Sequence, residues 1–163
     1  MNIRDATTED AKHLAFLINL AGENLPLYQW RQMAEAGQDP LEVGAIRAAR
    51  TEGAFSYRNA RIVEIDGAVA GMVLSYILPD PYDVGDLDSY PDVVRPLVEL
   101  EAQAPGSWYI NAIATYEKFR GRGVATKLMS LCEETAKSTN ATRLSLIVAS
   151  ENAGAHALYL HLG

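Results

Sequence analysis

From Ser107 to Thr115 the chain reads SWYINAIAT, with no charged residue. YEKFRGRGVATKLM follows at once, Tyr116–Met129, where Lys118, Arg120, Arg122 and Lys127 crowd around two glycines. An uncharged run of strand length predicts a β-strand buried on both faces. Beyond the glycines, Val124, Leu128, Leu131, Cys132 and Thr135 or Ala136 recur at i, i+4, i+7, i+8 and i+11 or i+12, one apolar face of a helix. Glu133 and Lys137 add a favourable i,i+4 pair, and Asn140 marks the expected helix end. TRLSLIVAS then alternates Leu144, Leu146 and Val148 on one face of a second strand. Strand, helix and strand in succession form a βαβ unit, whose strands are parallel and whose crossover is right-handed. The fold class is therefore α/β, in a mixed α+β form once the rest of the chain is added.

That remainder has its own signals. MNIRDA reads as a first strand. Thr7 or Thr8 offers a helix N-cap, with Glu9 and Asp10 in the first turn, where the dipole favours acids. Leu14, Leu17, Ile18 and Ala21 follow at helical spacing, and Gly22 is the expected stop. LPLYQWRQMAEAG predicts a second helix ending near Gly37, and DPLEVGAIRAARTEG a third. NARIVEI and AVAGMVLSYIL flank Asp66-Gly67, a strong hairpin signal. Trp30, Trp108 and the methionines read as core. At 163 residues the chain is expected to be one domain, 1–163. Within it, residues 79–106 stand apart as an acidic inserted segment. Between Asp80 and Glu101 seven acids face one base, Arg95, a local charge of −6 in a chain of net charge −7.

These charges exclude some functions. An acidic chain lacks the basic face that a general nucleic-acid binder needs. A single Cys132 allows no internal disulfide and suits a reducing compartment. No signal pattern opens the chain, and its longest mostly apolar run, Ala68–Leu78, is short of the ~20 residues of a membrane span. The expectation is a cytoplasmic protein with neither nucleic acid nor membrane as partner. One Cys and three scattered His give no metal-ligand spacing, so no metal is expected. No Ser-His-Asp or Cys-His arrangement is apparent.

The basic turn is the chemical signal. A turn between strand and helix points several N–H groups one way and, with the helix dipole, makes an anion site. Gly121 and Gly123 remove the Cβ atoms that would hold a phosphate away. A P-loop requires G-x-x-x-x-G-K-[ST], which Gly121–Lys127 fails. A dinucleotide fingerprint requires Gly or Ala at position 126, occupied by Thr126. A third pattern, Arg-x-x-Gly-x-Gly/Ala, is met by Arg120, Gly123 and Ala125. In the last helix, expected from about Asn152, that residue, His156 and Tyr159 share one face at i, i+4, i+7. Tyr159 reads either as a half-buried aromatic or as a functional phenol, Asn152 either as an N-cap or as a ligand contact, and His156 as packing or surface.

The Arg120–Ala125 pattern, the order of elements and the ending ENAGAHALYLHLG, an N-x-x-x-x-x-x-Y-x-x-x-G match, together resemble the GNAT superfamily of acyl-CoA-dependent N-acetyltransferases. The resemblance implies a mixed central sheet whose parallel strands splay apart, flanked by helices. It implies transfer of an acetyl group from acetyl-CoA to a primary amine of a small molecule or peptide, by direct attack in a ternary complex. It places the coenzyme pyrophosphate on Gly121, Arg122, Gly123, Val124 and Ala125 with Arg120 alongside. The pantetheine arm would lie against Ile113, Ala114 and Thr115, with Asn152 as a further contact. Tyr159 would protonate the departing thiolate.

Two departures from the family pattern bear on the acceptor. Many members carry a carboxylate on the strand before the glycine turn, where this chain offers Tyr109, Asn111 and Thr115. The base is then water, an acid from 80–101, or unnecessary; Glu117 reads as a solvated loop acid. The family also continues with two more strands beyond the position of Gly163, so the expectation is a chain lacking or truncated at those strands, or a sheet closed by a second copy in a homodimer. The acidic segment would concentrate a cationic amine, against the plainer reading of a loop that aids solubility. A non-catalytic acyl-CoA sensor and a small module binding ATP or NAD remain as alternatives.

Overall fold

The structure, a computed structural model, describes residues 1–141 and 143–162, without the side chains of Leu158, His161 and Leu162. Thr142 and Gly163, the latter closing the Tyr159 motif, lie outside the described residues. The elements run β1 (Asn2–Asp5), α1 (Ala11–Ala21), α2 (Leu25–Met33), α3 (Pro40–Ala48), β2 (Ala60–Ile65), β3 (Ala68–Ile77), α4 (Arg95–Glu101), β4 (Trp108–Thr115), α5 (Val124–Ser138), β5 (Leu144–Leu146) and α6 (Ala153–Leu162). The five strands form one sheet in the order β1-β2-β3-β4-β5. β1 and β2 pair antiparallel, as do β2 and β3, while β4 and β5 pair parallel. The parallel β4–β5 pair is what the strand–helix–strand signal implied, and the mixed sheet with flanking helices is what the family resemblance implied.

Local chemistry explains most boundaries. Asp66 and Gly67 take φ of 53° and 77°, the left-handed pair that a tight hairpin turn needs. Asp39 caps α3, its carboxylate accepting from Leu41 N–H at 2.9 Å, with Pro40 at the first helical position. α2 ends at Met33 rather than near Gly37, because Ala34 is already extended at ψ 140°. β5 is three residues long and stops before Val148. β4 is not buried on both faces: Tyr109, Ile110, Ala112 and Ala114 are buried, whereas Asn111, Ile113 and Thr115 are half-buried. Absence of charge was therefore compatible with one partly open face.

The chain divides into two compact units, Met1–Ser75 with Ala112–Leu128, and Tyr76–Asn111 with Met129–Gly163. The first holds the main core, built from Leu14, Leu17 and Ile18 of α1, Trp30 of α2, Ala48 of α3, Ile62 of β2 and Met72 and Leu74 of β3. Gly44 lets α3 approach α2: a Cβ there would come within 2.5 Å of the Trp30 ring. Trp30 is core as expected, but Met33 is 52% exposed. At the edge of this unit Arg4 makes a fork to Asp10, Nη1–Oδ2 at 2.7 Å and Nη2–Oδ1 at 2.8 Å, and reaches Glu64 through Nε at 2.7 Å. Asp10 also accepts from Thr7 N–H at 2.8 Å, closing a capping box. The Arg4 guanidinium, above all, holds the Asp10 carboxyl below its usual value.

The second unit carries the acidic segment, which contains α4 after a long irregular stretch. Trp108, Tyr109 and Ile110 pair in parallel with Leu144, Ser145 and Leu146, and β4 then runs on to Thr115 beyond that pairing. Ser107 and Ser145 hydroxyls, 2.6 Å apart, tie the start of this strand pair.

Candidate active site

The glycine turn is built from the end of β4. Tyr116 N–H bonds Ala70 C=O at 2.9 Å, and a single 3-10 turn, Glu117–Phe119, buries the Phe119 ring. Arg120 is extended, and Gly121 and Gly123 then take φ of 72° and 77°. L-residues with a Cβ pay a steric penalty in this region, which glycine avoids. Among the described residues, a Cβ added at either glycine would meet nothing within 4 Å. The glycines are thus required by backbone angle, and the space above them is open to an approaching group. α5 starts at Val124, and Lys127 N–H bonds back to Gly123 C=O at 3.0 Å. The N–H groups ahead of it have no acceptor within the helix, and the dipole adds partial positive charge there.

Basic side chains rim this turn. Arg120, Gly121, Arg122 and Gly123 are exposed, Val124 is buried and Ala125 half-buried. Lys118 Nζ lies 4.9 Å from the Phe119 ring centre and the Arg122 guanidinium 5.7 Å from it, so one buried aromatic supports two cations. Arg122 also stands 3.9 Å from Asp66 in the hairpin turn, a loose and exposed pair.

Just before the turn, Ile113 and Thr115 are half-buried and Ala114 is 9% exposed. Here the structure adds a residue that sequence reasoning missed. A Cβ on Gly71 of β3 would lie 2.6 Å from Ala114 C=O and 2.8 Å from Val124 Cγ1. Gly71 therefore lets β3 sit against both the strand end and the first residue of α5. Its one sequence signal was a lone glycine inside an apolar strand.

Asn152, His156 and Tyr159 belong to the second unit. Asn152 caps α6, its Oδ1 accepting from Ala155 N–H at 3.0 Å. Tyr159 is half-buried, and that burial pushes its phenol above the ordinary value, so it stays protonated at neutral pH. Among the described residues, His156 Nε2 is buried with no hydrogen-bond partner.

A sequence profile of the Acetyltransferase (GNAT) family matches residues 24–163. The chain belongs to the GNAT family. Solved structures agree in fold. A crystal structure described as an acetyltransferase is 26% identical, aligned over 100% of this chain and 88% of its own, at a TM-score of 0.68. An N-acetyltransferase from Staphylococcus aureus Mu50 is 22% identical over 100% and 90% of the two chains, at a TM-score of 0.65. Aminoglycoside N-acetyltransferase AAC(6')-Iy in complex with CoA is 17% identical over 99% and 86%, at a TM-score of 0.59. No curated protein sequence matches the chain. Among the described residues no helix of this GNAT chain is long and apolar enough to cross a membrane.

The GNAT chain also contains a polar network that its sequence did not announce. In the second unit Tyr82 donates its hydroxyl to Glu101 Oε2 at 2.7 Å, and the charge of that carboxylate also acts on the Tyr109 phenol. Tyr76 and Tyr109 meet edge to face with ring centres 5.8 Å apart, and Asn111 Nδ2 donates to the Tyr76 hydroxyl at 3.2 Å. Burial is the largest cause that pushes all three phenols well above their ordinary value, with the Glu101 charge adding to it. Residue spacing gave no hint of this, since four separate segments supply the members.

Proposed function

We propose that this GNAT chain transfers the acetyl group of acetyl-CoA to a primary amine of a small molecule or peptide, by direct attack in a ternary complex. The observation that carries the reading is the Arg120–Ala125 turn: two left-handed glycines, open above, leading into a helix N-terminus rimmed by Lys118, Arg120 and Arg122. Such a backbone suits a pyrophosphate, because N–H donors and a helix dipole bind anions without requiring a particular side chain. Acetyl-CoA supplies a thioester whose carbonyl the amine attacks. Ile113, Ala114 and Thr115 are assigned to the pantetheine arm on the partly open face of β4. Tyr159 is assigned the proton that the leaving thiolate takes up, and its raised pKa keeps that proton available.

The test is release of CoA from acetyl-CoA across a panel of amines, amino acids, polyamines and peptides, with the Tyr159→Phe variant compared in single turnover. The substitution keeps the ring and removes the donor. Transfer should slow by roughly 10²-fold, about 3 kcal/mol in barrier. A variant that transfers within about threefold of the unsubstituted rate makes Tyr159 a packing residue. CoA binding without release from any amine would identify a sensor in place of an enzyme.

A further inference from the structure

We propose that the phenol-lined carboxylate of Glu101 binds a second, non-reacting ammonium group of the acceptor, which makes the acceptor a di- or polycationic amine. The proposal rests on the acetyl-transfer reading and names the substrate class for it. Glu101 ends α4, and rings from β3 (Tyr76), the acidic loop (Tyr82) and β4 (Tyr109) converge around it. The carboxylate offers about four lone-pair sites, of which the Tyr82 hydroxyl uses one. Because the phenols stay protonated, Tyr82 remains a donor to Glu101 and none of the three adds negative charge of its own. Neutral aromatic faces beside one carboxylate are the chemistry that recognises an ammonium cation.

Charge around the site favours the same ligand. Among the described residues no Lys or Arg pairs with Glu101. Arg95, the one base between Asp80 and Glu101, is turned to Asp88 and Asp92 at 3.7 Å and 3.4 Å. A half-buried carboxylate without a cation is incompletely compensated, and a hydrogen bond from a neutral phenol does not cancel its charge. The segment's charge of −6 would draw cations toward it. In this proposal the ammonium held by Glu101 stays protonated and anchors the acceptor. A second nitrogen of the same molecule supplies the free lone pair that attack on a thioester needs.

Calorimetric titration of putrescine and of butylamine into the protein tests this, since the two probes differ by one terminal amino group. Putrescine should bind about tenfold more tightly or better, the scale of one charge-assisted contact. In the Glu101→Gln variant, checked for folding by its thermal melt, that preference should disappear. In the unsubstituted protein, ring signals of Tyr76, Tyr82 and Tyr109 should shift in NMR spectra on adding putrescine. This second readout decides the matter if the variant does not fold. Equal affinity of the two amines for the unsubstituted protein, a preference that survives in E101Q, or tyrosine signals unmoved at saturation would each overturn the proposal. Glu101-dependent putrescine binding without acetylation of any amine would sink the transfer reading alone and leave the ammonium site standing.

Discussion

β4 is one strand with two chemically different halves. From Trp108 to Asn111 its side chains make the contacts that set it apart: the Tyr109 ring meets Tyr76 edge to face, and Asn111 donates to the Tyr76 hydroxyl. From Ala112 to Thr115 it works through backbone, delivering the chain into two left-handed glycines and the N-terminus of α5. Side-chain sites depend on which distant residues happen to meet. Backbone sites depend on torsion angles that a few adjacent residues set. The two halves should accordingly respond to substitution in opposite ways, the second tolerating changes of side chain but not of φ or steric clearance.

The most severe challenge to this contrast is Gly123→Asp, which places bulk and negative charge where the proposed pyrophosphate would sit. CoA affinity measured by calorimetry should fall by roughly 10²-fold or more, about 3 kcal/mol. Unchanged affinity would remove the backbone reading of the turn. Gly71→Ala probes the same half from behind, without touching the turn. Its Cβ would meet the Ala114 carbonyl at 2.6 Å, and a backbone atom cannot swing aside as a flexible side chain can. Thermal stability should drop by about 2 to 3 kcal/mol, the cost of overpacking, and CoA affinity should fall with it as Val124 is displaced. A variant as stable as the parent would show that the strand end gives way freely.

Asp10→Asn sharpens the comparison from the side-chain direction, far from the turn in sequence. It removes one partner of the Arg4 fork and should cost about 1.5 kcal/mol, as read by denaturant unfolding at neutral pH. The pH dependence follows from the sign of the shift. The Asp10 carboxyl is held below its ordinary value, so its contribution is complete above about pH 4 and is lost as pH falls through the depressed native value. The parent should therefore lose stability on acidification below pH ~4 that the variant does not. Parallel acid-unfolding curves for the two would contradict the assignment.

How far each half could be read beforehand differs for the same reason. The turn, α5 and the hairpin at Asp66-Gly67 were legible because glycine torsions and helical periodicity are encoded within a few residues. The ends of α2 and β5 were misplaced because the sequence continues its pattern past the point where the chain departs from it. The half-open face of β4 was missed because uncharged residues suit a fully buried strand and a partly open one alike.

The amino-acid sequence by itself determined the strand–turn–helix frame, the left-handed glycines and the basic rim, since each follows from local sterics and from charges that lie close together in the chain. Only tertiary structure decided which side chains would share a site. Tyr82 and Glu101 are 19 residues apart, Tyr76 and Asn111 35, Arg4 and Glu64 60. Hydrogen bonds between such residues are set by packing of whole elements, and no short-range preference of either partner records them. The clearance at Gly71 is of the same kind: a lone glycine in a strand is visible in the sequence, but the carbonyl of Ala114 that forbids a Cβ there is brought to it by the fold.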